Sequence, residues 1–374
     1  MPEPVHGLKS SRRMIVKVGS ALLVEAASAE VHTPWLDALC DELATLRRSG
    51  VEVLVVTSGA IALGRKSLGL PRRPHRLDEK QAAAAAGQIL LAFAWLRSLE
   101  RHQITAAQVL LTLEDSDSRR RYLNARDTME TLLRLGAIPV INENDTVATE
   151  EIRFGDNDRL AARVAQMVSA DTLVLLSDID GLYTADPRID PDARLIPMVT
   201  ELNEEVENYA GVARSGLCTG GMVTKLMAAR IALSAGCRMV IAPGGPLRPL
   251  EALENGGRCT WFIPSEPPLT ARKRWISGSI RPSGVLTVDP GAAVAIRDGK
   301  SLLPKGVCQV EGNFVRGDAV RVCDATGKEL ARGLANFDGD EARLIAGRHS
   351  SEIESILGYQ DRDELIHRDD LVLS

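Results

Sequence analysis

The chain alternates short, unbroken apolar runs with longer segments whose apolar residues recur at helical spacing. The runs are MIVKVG (14–19), VEVLVVTSG (51–59), GAIPVI (136–141), DTLVLLSD (171–178) and CRMVIAPGG (237–245). Between them lie LDALCDELATLRRSG (36–50), DEKQAAAAAGQILLAFAWLRSLE (78–100) and NDRLAARVAQMVSA (157–170). Each of these three is spaced to bury one helical face, and Gly50 closes the first. A strand that reads as continuously apolar is buried on both sides. Its alternation with helices predicts an α/β domain: a mainly parallel sheet covered on both faces, an αβα sandwich.

The pattern changes near residue 263. IPSEPPLTARKRWISGSIRPSG (263–284) is rich in Pro and Arg and reads as a linker. Beyond it, VLTVD, AAVAI, RDGK, CQVEGNFVRGDAVRVCD and ATGKELARGLA are β-like runs broken by turn signals. They predict a small, mostly β second domain. HSSEIESILG (349–358) reads as a short helix with Ser350 or Ser351 as its cap. The expected organisation is a first domain over 1–263, a linker over 264–283 and a second domain over 284–374.

Composition narrows the class. The 374 residues are 45% hydrophobic but only 3% aromatic, so the core is expected to be aliphatic and Ala-rich. A net charge of −5 gives no global signal for nucleic acid or membrane. No run approaches the ~18 apolar residues of a membrane span. The N-terminus lacks the apolar centre of a secretory signal. The six cysteines are scattered, with no CxxC and no His at metal spacing, and are expected as reduced thiols in the cytoplasm.

Candidate chemistry gathers where strands end. Asn142, Glu143, Asn144 and Asp145 follow one strand run, and Asp156, Asn157 and Asp158 follow soon after. Parallel sheets bind ligands at such strand ends; a solvated acidic loop is the other reading. Lys17, Val18, Gly19 and Ser20 close the first strand run, and Thr57, Ser58, Gly59 and Ala60 the second. Gly-rich strand-to-helix turns let backbone N–H groups approach an anion. Thr219, Gly220, Gly221, Met222, Val223, Thr224 and Lys225 open a further helix. Their paired glycines suit phosphate oxygens, and Lys225 lies one turn in. This is neither a Walker A loop nor a dinucleotide fingerprint. Ser177 and Asp178 end another run where a base and ribose would fit. HRDD (367–370) resembles a protein-kinase catalytic loop, but no DFG accompanies it, so it is set aside.

These segments together resemble the amino acid kinase family. The matching stretches are VKVGS (16–20), VVTSGAIALG (55–64), YLNARDT (122–128), VINEND (140–145), GDND (155–158), GLYTADPR (181–188) and TGGMVTK (219–225). The likeness continues through RKRWI (272–276), SLLPKG (301–306) and IAGRHS (345–350). Ser20 stands where Thr is common, and the Ala run 82–86 is more uniform than usual. The C-terminal part resembles a PUA domain, a small pseudo-barrel found in RNA-modifying proteins.

The resemblance implies ATP-dependent phosphorylation of the side-chain carboxylate of L-glutamate, the first step of proline synthesis. It further implies feedback by proline and a homo-oligomer, a dimer or tetramer. Lys17 and Lys225 are expected to flank the transferring phosphoryl group, with Asp158 holding both. Gly19, Gly220 and Gly221 would supply backbone donors. Ser58, Asp145 and Asn157 would hold glutamate, Asp145 suiting its ammonium. Thr219, Met222, Val223, Thr224, Ser177 and Asp178 would line the ATP side. Mg²⁺ is expected to ride with the ATP phosphates, with no metal site of the protein's own. Two other readings stand: a sister kinase acting on acetylglutamate or aspartate, and an RNA-binding protein acting through the second domain. The Asp145 cluster argues against the acetylated substrate, which has no ammonium. The charge balance argues against RNA.

Overall fold

The five apolar runs of the first half each form a strand in the computed structural model, which describes residues 7–71, 76–147, 157–209, 221–268, 270, 282–359 and 362–374. In chain order the strands are β1 (Arg13–Val18), β2 (Glu52–Thr57), β3 (Ala106–Leu111), β4 (Ile138–Glu143), β5 (Thr172–Ser177), β6 (Leu182–Tyr183), β7 (Leu195–Ile196), β8 (Met198–Val199), β9 (Arg238–Pro243) and β10 (Thr260–Phe262). The helices are α1 (Ser20–Leu23), α2 (Thr33–Arg48), α3 (Ala60–Ser67), α4 (Leu77–Glu100), α5 (Leu113–Asp117), α6 (Arg119–Arg134), α7 (Asn157–Met167), α8 (Glu204–Tyr209), α9 (Met222–Ser234) and α10 (Pro249–Glu254). The chain clusters into two units, Met1–Ser118 with Asn124–Pro268, and Arg119–Leu123 with Leu269–Ser374.

The main sheet of the first unit runs β3-β4-β2-β1-β5-β9-β10-β8. It is parallel from β3 to β9, and β10 joins antiparallel. The apolar pattern missed β3. It is an edge strand whose residues are mostly half-buried or exposed, so it lacks the unbroken apolar run of a central strand. The chain leaving β1 reaches β2 on one side, and the chain leaving β5 reaches β9 on the other. Adjacent strands that part in this way open a crevice at their carboxyl ends.

Alternation along β1 assigns its two faces. Met14, Val16 and Val18 join a core with Trp35, Leu36, Leu39 and Leu43 of α2 and Trp95 of α4. Ile15 and Lys17 point to the opposite face, where α7 packs on β1 and α9. The buried side of α7 is Leu160, Ala161, Val164 and Ala165, as the aliphatic, Ala-rich composition predicts.

Two helices meet without side chains between them. A Cβ on Gly64 of α3 would collide with the Ala83 carbonyl oxygen of α4, and one on Gly87 with that of Ala60. Backbone contact of this kind fixes α4 closely against the turn at the end of β2. One described helix, α4, has the length and hydropathy of a membrane span, because its Ala run scores as apolar. Its inner face nonetheless belongs to the domain core through Leu91, Trp95 and Leu99, and Trp95 Nε1 donates to Thr57 Oγ1 at 3.1 Å.

The second unit holds a five-stranded sheet. Its strands are β11 (Gly284–Val288), β12 (Val307–Gly312), β13 (Ala319–Cys323), β14 (Glu329–Leu334) and β15 (Leu371–Leu373), in the order β12-β11-β13-β14-β15. Its core gathers Leu286, Val288, Phe314, Val320, Phe337 and Ile366. Two details differ from the sequence reading. AAVAI belongs to a helix, Pro290–Arg297, because Asp289 caps it by accepting from Ala292 N at 2.7 Å and Pro290 stands at its first position. The helix near 350 is capped by His349, whose Nδ1 faces Ser351 N while Glu352 reaches back to His349 N at 2.8 Å. Neither Ser350 nor Ser351 caps it. HRDD forms a turn capped by His367, a structural role. Most of the stretch read as a linker, 264–283, lies outside the described residues.

Candidate active site

Three elements deliver the charged centre. Lys17 sits near the end of β1, Asp158 in the first turn of α7 and Lys225 in the first turn of α9. Lys17 Nζ lies 2.6 Å from Asp158 Oδ1, and Lys225 Nζ lies 2.9 Å from Oδ2. Asp158 is 1% exposed, Lys17 8% and Lys225 5%. Burial alone would oppose a charge on Asp158. The two ammonium groups outweigh it and hold the carboxyl below its ordinary range. The positive end of α7 acts in the same direction. Two buried cations on one carboxylate leave the group with a net positive charge at the crevice.

A second cluster adjoins it through Asn157, the residue before Asp158. Asn157 Nδ2 donates to the Thr57 carbonyl, to Ser58 Oγ at 2.8 Å and to Asn142 Oδ1 at 2.8 Å. Asn142 Nδ2 in turn donates to Gln88 Oε1 of α4 at 2.7 Å. Ser58 is held by the turn that follows β2, where Gly59 takes φ of 119°, a left-handed conformation that disfavours a side chain.

Asp145 lies half-buried in the turn after β4. Among the described residues it takes no hydrogen bond and no ion pair. Burial raises its carboxyl to about 6. A buried carboxylate without a cation is unfavourable, so the position suits a cationic ligand. Ser177 ends β5 and Asp178 follows it, with Ser177 Oγ 3.1 Å from Asp178 Oδ1, and the Ser177 carbonyl accepts from Gly244 N. Gly19 precedes α1, and Gly221 caps α9, where Thr224 Oγ1 donates to the Gly221 carbonyl at 2.7 Å. Met222 and Val223 open the same helix. Thr219, Gly220 and Asp156 lie outside the described residues.

Thus the predicted Lys17, Asp158 and Lys225 meet in one ion-paired group, and Asn157 meets Ser58. Gln88 was not predicted as a site residue, and Asn142 was read only as a member of the strand-end cluster, with no role of its own. The available signal was an amide side chain within the otherwise Ala- and Leu-rich stretch 82–91, aimed at a strand end. Among the described residues no cluster of three His, Cys, Asp or Glu could hold a metal. Both Asp158 oxygens face lysines, so the carboxylate at the centre is not placed to ligate one.

The model of the amino acid kinase family matches residues 12–243, and that of the PUA domain matches 284–357. The chain belongs to the amino acid kinase family, and carries a PUA domain after its kinase domain. It is 63% identical over 366 residues to the glutamate 5-kinase of Paramagnetospirillum magneticum, covering 98% of this chain and 99% of that one. It is 59% identical over 367 residues to the glutamate 5-kinase of Agrobacterium fabrum, covering 98% and 94%. Among solved structures, carbamate kinase from Giardia lamblia bound to AMP-PNP has a TM-score of 0.49 at 14% identity, covering 69% of this chain and 100% of that one.

Proposed function

We propose that this kinase transfers the γ-phosphoryl group of ATP to the side-chain carboxylate of L-glutamate. The products are L-glutamyl 5-phosphate and ADP, and the step opens proline biosynthesis. The observation that carries the reading is the pair of buried lysines on Asp158, set beside a polar cluster able to hold an amino acid. A glutamate side chain ionises near ~4.3, so the nucleophile needs no base at neutral pH. One carboxylate oxygen attacks the γ-phosphorus while its bond to the bridging oxygen of ADP breaks. The obstacle is bringing an anion onto a polyanion. Lys17 and Lys225 offset that repulsion, and Asp158 fixes where they stand. Mg²⁺ enters with ATP as part of the substrate. Gly19, Ser177, Asp178 and the 219–225 turn form the nucleotide side in this reading. ATP turnover with a panel of amino acids, trapping acyl phosphate with hydroxylamine, tests it directly; turnover with acetylglutamate or aspartate instead of glutamate would overturn it.

Asp145 is assigned to the substrate ammonium. Lowering the pH through about 6 protonates the free carboxyl, so KM for glutamate is expected to rise on the acid side of that value. Asp145→Asn is expected to raise that KM about tenfold or more, to remove its acid dependence, and to leave KM for ATP nearly unchanged. Proline carries the same ammonium and carboxylate, so its inhibition is expected to be competitive with glutamate and weakened in parallel. Equal loss of glutamate and ATP would instead mark collapse of the turn after β4.

Self-association is assigned to the outer face of α4. There Ile89 is 72% exposed, Leu90 43%, Phe93 59% and Leu96 42%, a contiguous apolar stripe on one helix. Phe93→Glu is expected to lower the mass measured by light scattering to that of a smaller species. An unchanged mass would place the interface elsewhere. A cytoplasmic setting fits the described cysteines, all free thiols.

A further inference from the structure

The amide chain through Gln88 has a direction that one fixed group decides. The Thr57 carbonyl can only accept, so the end of Asn157 facing it must be the NH2 group. That NH2 has two hydrogens and meets three acceptors: Thr57 O, Ser58 Oγ and Asn142 Oδ1. No hydrogen remains for a ligand. Asn142 therefore presents its oxygen to Asn157 and its NH2 to Gln88, whose Oε1 closes the chain. The far end of Asn157, Oδ1, takes no hydrogen bond among the described residues. Ser58 Oγ already accepts from Asn157, so its own hydrogen is free to be donated.

We propose that Gln88 is a positioning residue that locks the hydrogen-bond polarity of the glutamate site, a polarity dictated by the Thr57 carbonyl. Through Asn142 it holds the Asn157 amide in place, so that Oδ1, opposite the donating NH2, can accept from the substrate ammonium assigned to Asp145. The same arrangement leaves the Ser58 hydroxyl as a donor for the α-carboxylate. Without Gln88, Asn142 loses its second anchor and can turn its NH2 towards Asn157, which sets donor against donor and displaces both amides. The close crossing of α3 and α4 at Gly64 and Gly87 fixes the height of Gln88 relative to Ser58. This inference rests on glutamate being the phosphoryl acceptor.

The test uses the full-length enzyme, L-glutamate as substrate, and glutarate, which lacks the ammonium, as competing ligand. Gln88→Leu is expected to raise KM for glutamate about tenfold or more, with kcat and KM for ATP within about twofold. The inhibition constant of glutarate should move much less, so discrimination for the ammonium falls. Gln88→Glu keeps an acceptor facing Asn142 and should restore most of the affinity. Gln88→Met carries the same test if the leucine variant does not accumulate. Three results would overturn the proposal: unchanged KM for glutamate, glutamate and glutarate weakened in equal proportion, or Gln88→Glu behaving as Gln88→Leu. Absence of glutamate turnover by the unaltered enzyme is seen first in the same assay, and removes the underlying reading separately.

Discussion

Lys225→Ala and Lys17→Ala are each expected to lower kcat about a hundredfold while KM for glutamate changes far less. The basis is where the charge does its work. Each ammonium faces Asp158 in the resting site, at 2.9 Å and 2.6 Å, so neither is free to act as a strong substrate anchor. Their surplus positive charge matters most as the phosphoryl group passes between two anionic oxygens. Such a loss amounts to about 3 kcal/mol of transition-state stabilisation. An interaction made mainly in the transition state appears in kcat and in kcat/KM together, not in KM alone. Single-turnover measurement of acyl phosphate, trapped with hydroxylamine, isolates the chemical step. Near-normal kcat in either variant would remove that lysine from the phosphoryl group. Lys→Arg at these positions is not a conservative control, because a planar guanidinium cannot occupy the compact space of an ammonium on Asp158.

How far the sequence reveals this site depends on the range of each contact. Lys17, Asp158 and Lys225 lie at strand and helix ends within short motifs, so their residue types and placement announce them. The buried strands β1, β2, β4, β5 and β9 are equally plain, since both faces must be apolar. β3 was not, because an edge strand needs no such run. In the second unit, AAVAI has β-like composition, but Asp289 and Pro290 form a cap and first helical position that outweigh it. The tie between Gln88 and Asn142 spans 54 positions and depends on α3 and α4 touching at two glycines. No local pattern encodes that distance. The orientation of Asn157 is decided by a backbone carbonyl, a group that every residue has and that sequence alone cannot single out.

Asp158→Asn is expected to damage both catalysis and folding, with a dependence on pH that separates this variant from a general loosening. Asparagine offers one accepting oxygen where aspartate offers two. One lysine keeps a partner; the other faces an NH2 group, donor against donor. That lysine is buried beside a second ammonium and has lost its carboxylate, so its pKa falls. Breaking a buried ion pair from one side costs about 3 kcal/mol or more, which should appear as a lowered Tm near neutral pH. The sign of the pH effect follows from proton counting. The unfolded lysine titrates near ~10.4, so between the lowered pKa and that value the unfolded chain binds more protons. Stability of the variant should therefore rise with pH across that window, whereas the unaltered enzyme, with both lysines paired, should lack this rise. Activity should run the other way: as pH rises the unpartnered lysine loses its charge, and kcat falls with it. Opposite slopes of Tm and kcat against pH are a signature that simple disruption of packing does not produce. A variant with near-normal kcat and no pH-dependent gain in Tm would show that Asp158 does not hold the two lysines in their charged state.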